Sequence, residues 1–141
     1  MQNVKADEHK TSSDSRHNDL KEIKNTAAMI RSELVPVGET LEVRLINLEL
    51  KWNRLVIDKF RKNLVSDVQS LVRDNLRKML RMHRVVKISR KAIEQSATMI
   101  ISGTPALQKL GNREALYLYI QLYMVQLLIN IKPEQINPKF K

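Results

Sequence analysis

The chain has 141 residues, 25 Lys/Arg against 15 Asp/Glu for a formal net charge of +10, no cysteine, three glycines and four prolines. That length fits one domain. So few turn formers, in a chain rich in Leu, Ile, Val and Met, point to long helices around an aliphatic core. The lack of cysteine excludes disulfides, thiolate zinc sites and cysteine nucleophiles, and suits a cytoplasmic protein.

Residues 1–17 are polar, of mixed charge and without periodicity, which predicts a disordered tail with no apolar signal segment. Asn18 and Asp19 are placed to cap a first helix reaching Glu33, with Leu20, Ile23, Ala27, Met29, Ile30 and Leu34 as its apolar positions; Pro36 and Gly38 end it. From Glu39 to Ser102 there is neither Gly nor Pro. A single helix of that length would measure roughly 95 Å at 1.5 Å per residue, about three times the width of a small domain. The run must therefore fold back. Ser66 and Gln69 match a capping box, and Ser89 after the β-branched Val85-Val86 offers a second cap, which predicts helices over 39–63, 66–84 and 89–102. Trp52 falls in phase with Leu48 and Leu55 and is expected in the core.

Gly103-Thr104-Pro105 is a stop and restart, with Thr104 as cap and Pro105 at the first helical position. A short helix is expected to end at Leu110, with Gly111 just beyond it. Asn112 then caps a last helix, Arg113–Ile131. That helix is apolar on every side, so it is central or covered by a partner chain. Gln121, Gln126 and Asn130 within it argue for a buried core helix and against a membrane span. Residues 133–141 read as a C-terminal tail. The predicted class is all-α: a single bundle of about five helices over 18–132.

The charge is not spread evenly. Residues 51–91 hold thirteen of the 25 Lys/Arg and three of the 15 Asp/Glu, leaving twelve of each sign elsewhere. One segment thus carries the whole imbalance, which points to a polyanionic partner. Within it Arg73, Arg77, Arg81 and Arg84 follow helical spacing, one row with roughly 6 Å between neighbours, near the phosphate step of a nucleic-acid strand. Arginine forks match phosphate oxygens bidentately. Lys78, Lys87, Arg90 and Lys91 flank the row, and Lys51, Arg54, Lys59, Arg61 and Lys62 extend it from the preceding helix. The expected mechanism is sequence-independent neutralisation of the backbone with counterion release. Such a surface also suits an acidic protein partner, or simply keeps the chain soluble. No catalytic constellation is visible: no Gly-rich phosphate loop, no paired carboxylates, and His83 set among arginines that disfavour its protonation. The reading is a non-enzyme without metal or cofactor, small-molecule substrate or membrane attachment.

The segment Lys91-Ala92-Ile93-Glu94, the turn Leu107 to Leu110-Gly111-Asn112, and the aromatic-rich helix with Tyr117, Tyr119, Tyr123-Met124 and Leu127-Leu128 follow one another in an order that resembles the C-terminal half of the small subunits of CRISPR interference (Cascade-like) complexes. The resemblance implies a non-catalytic prokaryotic protein, present in more than one copy. It would lie along a crRNA-bound filament of backbone subunits, holding the target or displaced DNA strand through phosphates. A second resemblance is to the integrase-binding helical domain of chromatin-tethering factors. Asp14-Ser15-Arg16 and Glu22-Ile23-Lys24-Asn25 look like its opening helix, and Leu76-Arg77-Lys78-Met79 like its basic region. That alternative implies an adaptor for acidic peptide motifs of protein partners.

Overall fold

The computed structural model describes residues 3–54, 64–82 and 88–136. Among them the fold is all-α, with seven helices and no strand: α1 Asn3–Leu34, α2 Leu41–Asn53, α3 Leu64–Met82, α4 Arg90–Ser102, α5 Pro105–Gln108, α6 Arg113–Ile129 and α7 Pro133–Ile136. The helix that is apolar all round, α6, is the axis of the bundle. Leu116, Tyr119, Ile120, Leu122, Met124, Val125 and Leu128 on it are fully buried, and α1, α2, α3 and α4 all pack against it. The cover for its apolar sides therefore comes from this chain.

Each outer helix turns one stripe inward. On α1 this stripe is Ile23, Ala27 and Ile30, on α2 Leu41, Leu45, Leu48 and Trp52, on α3 Leu64, Val68, Val72, Leu76 and Leu80, and on α4 Ile93, Ala97 and Ile100; Met29, expected with the apolar positions of the first helix, is instead exposed, because it falls off the Ile23–Ala27–Ile30 stripe. The three- and four-residue steps are what a helix needs to hold one face against a neighbour. Trp52 lies in the core as expected, its ring 5.7 Å from that of Tyr119. The Trp52 Nε1 atom is buried and finds no hydrogen-bond partner among the described residues.

Several boundaries match their local chemistry. Ser89 caps α4, its hydroxyl accepting from the Ala92 amide at 3.2 Å. Asn112 caps α6 in the left-handed region at φ 49, its carbonyl oxygen accepting from the Ala115 amide at 3.3 Å. Thr40 caps α2 in the same way, accepting from the Val43 amide. Pro105 opens α5 at the first helical position, although the Thr104 side chain makes no cap bond.

Other boundaries differ from the sequence expectation. Asn18 and Asp19 do not start a helix, because the α1 backbone runs unbroken from Asn3. Ser66 lies inside the first turn of α3, which begins at Leu64, so the capping box there is not used as a cap. α2 ends at Asn53, and the expected continuation over 55–63 lies outside the described residues, as does 83–84 at the end of the next predicted helix. α5 stops at Gln108 with Lys109 as its C-cap, earlier than Leu110, and α6 stops at Ile129 with Asn130 as its C-cap. The expected tail after Lys132 is structured over its first part. There α7 folds back on α1 and α3, Ile136 is 1% exposed, and Gln135 accepts from the Lys132 amide at 2.9 Å. Burying Ile131 and Ile136 removes from water two apolar side chains worth roughly 1.5–3 kcal/mol each, enough to hold a four-residue helix that could not persist alone.

Candidate nucleic-acid interface

Eight of the thirteen candidate cations lie in the described residues; Lys59, Arg61, Lys62, Arg84 and Lys87 lie outside them, as does His83. Among the described residues, the eight fall into three groups.

The first group is Arg73, Arg77, Lys78 and Arg81 on α3, all exposed. α3 runs beside α6 in the same direction. Its Gln69 Nε2 donates to the Tyr119 hydroxyl and its Arg73 Nη1 to the Tyr123 hydroxyl, each at 3.0 Å, four residues further along both helices. Arg73 also reaches the Ser70 hydroxyl through Nη2 at 3.3 Å. Tyr119 and Tyr123 are stacked nearly parallel, centroids 6.1 Å apart. Burial pushes the Tyr119 hydroxyl well above the usual tyrosine range, the Glu49 carboxylate and Tyr123 beside it act in the same direction, and only the Gln69 hydrogen bond opposes them. Tyr119 is therefore a fixed neutral hydrogen-bonding post. Arg77 makes a loose ion pair with Asp74 at 3.6 Å, both side chains about two-thirds exposed, a contact worth at most about 1 kcal/mol. Lys78 and Arg81 make no ion pair with another described residue.

Three of these cations line one groove. It has a volume of 470 Å³ and is formed by Arg73, Arg77 and Arg81 along one rim, Leu76, Leu80, Leu127 and Ile131 below, and Asn130, Glu134 and Gln135 on the far side. The groove is thus cationic on the α3 side and neutral to acidic on the α7 side. Tyr123, Leu127, Ile131, Glu134 and Gln135 were not candidates from sequence. The first three read there as core positions, and the last two sat in a presumed tail.

The second group is Lys51 and Arg54 at the end of α2, exposed near Asn112 at the start of α6. Arg81 lies near Ile131, past the other end of α6. That helix has 17 residues, so about 25 Å of helix separates the two ends. The third group is Arg90 and Lys91 at the start of α4. Arg90 pairs with Glu33 at the end of α1 and reaches Glu94 at 3.8 Å, so it serves helix packing as much as any ligand. Lys91 lines a separate surface dip with Glu94, Thr98, Met99 and Tyr117.

No group of His, Cys, Asp or Glu among the described residues is arranged to hold a metal ion, and no helix among them is long and apolar enough to cross a membrane. Comparison with family models, curated proteins and solved structures finds no match to this chain. Fold and surface define a helical bundle built around one apolar helix, with an arginine-rimmed groove on its side.

Proposed function

We propose that the chain is a non-catalytic nucleic-acid-binding protein that grips a strand through the α3 rim. The observation that carries this reading is the groove with Arg73, Arg77 and Arg81 on one side and Glu134 on the other. A single strand has phosphates on one edge and bases on the other, so its anionic edge suits α3 and its bases suit the aliphatic floor. A duplex presents phosphates along both edges of its grooves, and Glu134 repels one of them. Recognition is through the backbone and independent of sequence. In the finer form suggested by the resemblance, the chain is the small subunit of a CRISPR interference complex, holding the target or displaced strand beside other subunits.

The test is fluorescence anisotropy with labelled single- and double-stranded oligonucleotides of several sequences at rising salt. The Arg73→Ala/Arg77→Ala/Arg81→Ala variant is expected to lose affinity for all sequences alike. Its log–log salt slope should fall in magnitude by about 2, at roughly 0.7 per phosphate contact on single strands. Absence of binding at low salt, alone and within an assembled complex, would overturn the proposal. A second reading is favoured by the apolar floor formed by Leu76, Leu80, Leu127 and Ile131: an adaptor that seats an acidic amphipathic peptide. Recovery of acidic peptides that persists after nuclease treatment, with no oligonucleotide binding, would favour it.

A further inference from the structure

Among the described residues, α2 meets the bundle on one side. Leu41, Leu45, Leu48 and Trp52 are buried, and the helix that α2 packs on most extensively is α6. Its opposite side presents Val43, Ile46 and Leu50, which are 45%, 53% and 51% exposed. Their spacing of three and then four residues is the a-d-a seam of a helix that pairs with another helix.

The charges beside this seam are sorted. On a wheel at about 100° per residue, Glu42 and Glu49 fall on one flank. Asn47, Lys51 and Arg54 fall on the other. In the notation of paired helices, Glu42 and Glu49 occupy g, and Asn47 and Arg54 occupy e. Glu49 is half-buried beside Tyr119, which anchors its position on the flank. Asn47, Lys51 and Arg54 are exposed.

This arrangement matches itself in one orientation. When two copies of α2 lie parallel about a twofold axis, each g residue faces the e residue of the next heptad on the other copy. Glu49 then meets Arg54 of the second copy, Glu42 meets Asn47, and symmetry makes each contact twice. Val43, Ile46 and Leu50 each meet their own counterparts. In an antiparallel pair the acidic flanks would face each other, Glu42 against Glu49, while the other flanks would set Asn47 against Arg54. Like charges opposed in this way disfavour that alternative. We infer that the outer face of α2 is a self-association surface, occupied by the α2 of a second copy of this chain in parallel orientation. The interface is small, so the dimer is weak and depends on concentration. The inference is independent of the groove on α3 and of what that groove binds.

The experiment is sedimentation velocity on nuclease-treated full-length protein over a wide concentration range. The wild type is expected to shift from monomer towards dimer as concentration rises. Ile46→Glu, at a half-exposed position, should raise the dissociation constant about tenfold or more with an unchanged helical circular dichroism spectrum. Glu49→Lys and Arg54→Glu should each weaken the dimer, and an equimolar mixture of the two should restore it, because each lysine then faces a glutamate and each native Glu49 a native Arg54. Three results would overturn the inference: a wild type that is monomeric throughout, association lost on nuclease treatment, or a Glu49→Lys variant that dimerises more tightly, as the antiparallel pair requires.

Discussion

α2 and α3 lie on the same central helix and turn aliphatic stripes towards it, yet their outer faces differ. α3 presents Arg73, Arg77, Lys78 and Arg81 with no exposed large apolar residue among its described side chains, whereas α2 presents Val43, Ile46 and Leu50 between separated charges. The inner stripes answer one requirement, burial against α6. The outer faces are free of it, and their difference is what the two proposals rest on. A row of cations without an apolar seam suits a charged polymer. An apolar seam with acid on one flank and base on the other suits a folded partner of complementary pattern.

If the inner stripes are equivalent, breaking either should cost the whole bundle, and these are the largest effects expected. Trp52→Ala on α2 should destabilise by about 3–5 kcal/mol and Leu80→Ala on α3 by about 2–5 kcal/mol, read as a lower urea midpoint with the helix signal lost in one transition. A substitution that melted one helix and spared the other would separate the two regions. The row on α3 is itself divided. Arg73 is tethered to the Tyr123 hydroxyl, so Tyr123→Phe should cost about 1–3 kcal/mol for a hydrogen bond to a charged group. Arg81→Ala should leave stability within about 0.5 kcal/mol while weakening oligonucleotide binding. Equal stability losses for the two would mean that Arg81 is also a packing residue.

Tyr119 links both outer helices, touching Trp52 on α2 and Gln69 on α3. Because its folded hydroxyl is held protonated by burial, the unfolded chain loses that proton first as pH rises. The stability it contributes is complete below about pH 10, the ordinary tyrosine range, and is lost as pH climbs towards the higher folded value. The stability difference between wild type and Tyr119→Phe should therefore be flat at neutral pH and shrink above about pH 10, by up to roughly 1.4 kcal/mol per pH unit. A difference that stayed flat through that range would mean that the hydroxyl is not sequestered.

How far the sequence carried these features follows from where their causes lie. The all-round apolar character of α6, the caps Ser89 and Asn112 and the burial of Trp52 depend on nearest neighbours along the chain and on helical period, and all were legible; whether α6 is covered by this chain or by a partner was not. α7 was missed because four residues carry no period, and its order depends on Ile136 reaching α1 and α3. The grouping of the cations was missed for a similar reason. Arg73 finds Tyr123 fifty residues away and Arg90 finds Glu33, and no spacing within 51–91 announces either partner. Counting charge located the basic block, but only the packing of α2, α3 and α4 around α6 sorts its described cations into groups.

The smallest effect expected is also the cleanest probe of the α3 rim. Asp74 is the acid that faces the row, pairing with Arg77 at 3.6 Å with both side chains well exposed. Such a pair contributes between zero and about 1 kcal/mol, so Asp74→Asn should scarcely move the denaturation midpoint. Removing the carboxylate frees Arg77 and adds one unit of positive charge beside the groove. Oligonucleotide affinity at low salt should rise a few-fold, with the gain fading as salt screens it. The same change leaves the α2 seam untouched, so the concentration dependence of sedimentation should not alter. A rise in affinity without a change in self-association would show that the outer faces of α3 and α2 work separately. A parallel change in both would mean that the two copies meet through the basic row and not through Val43, Ile46 and Leu50.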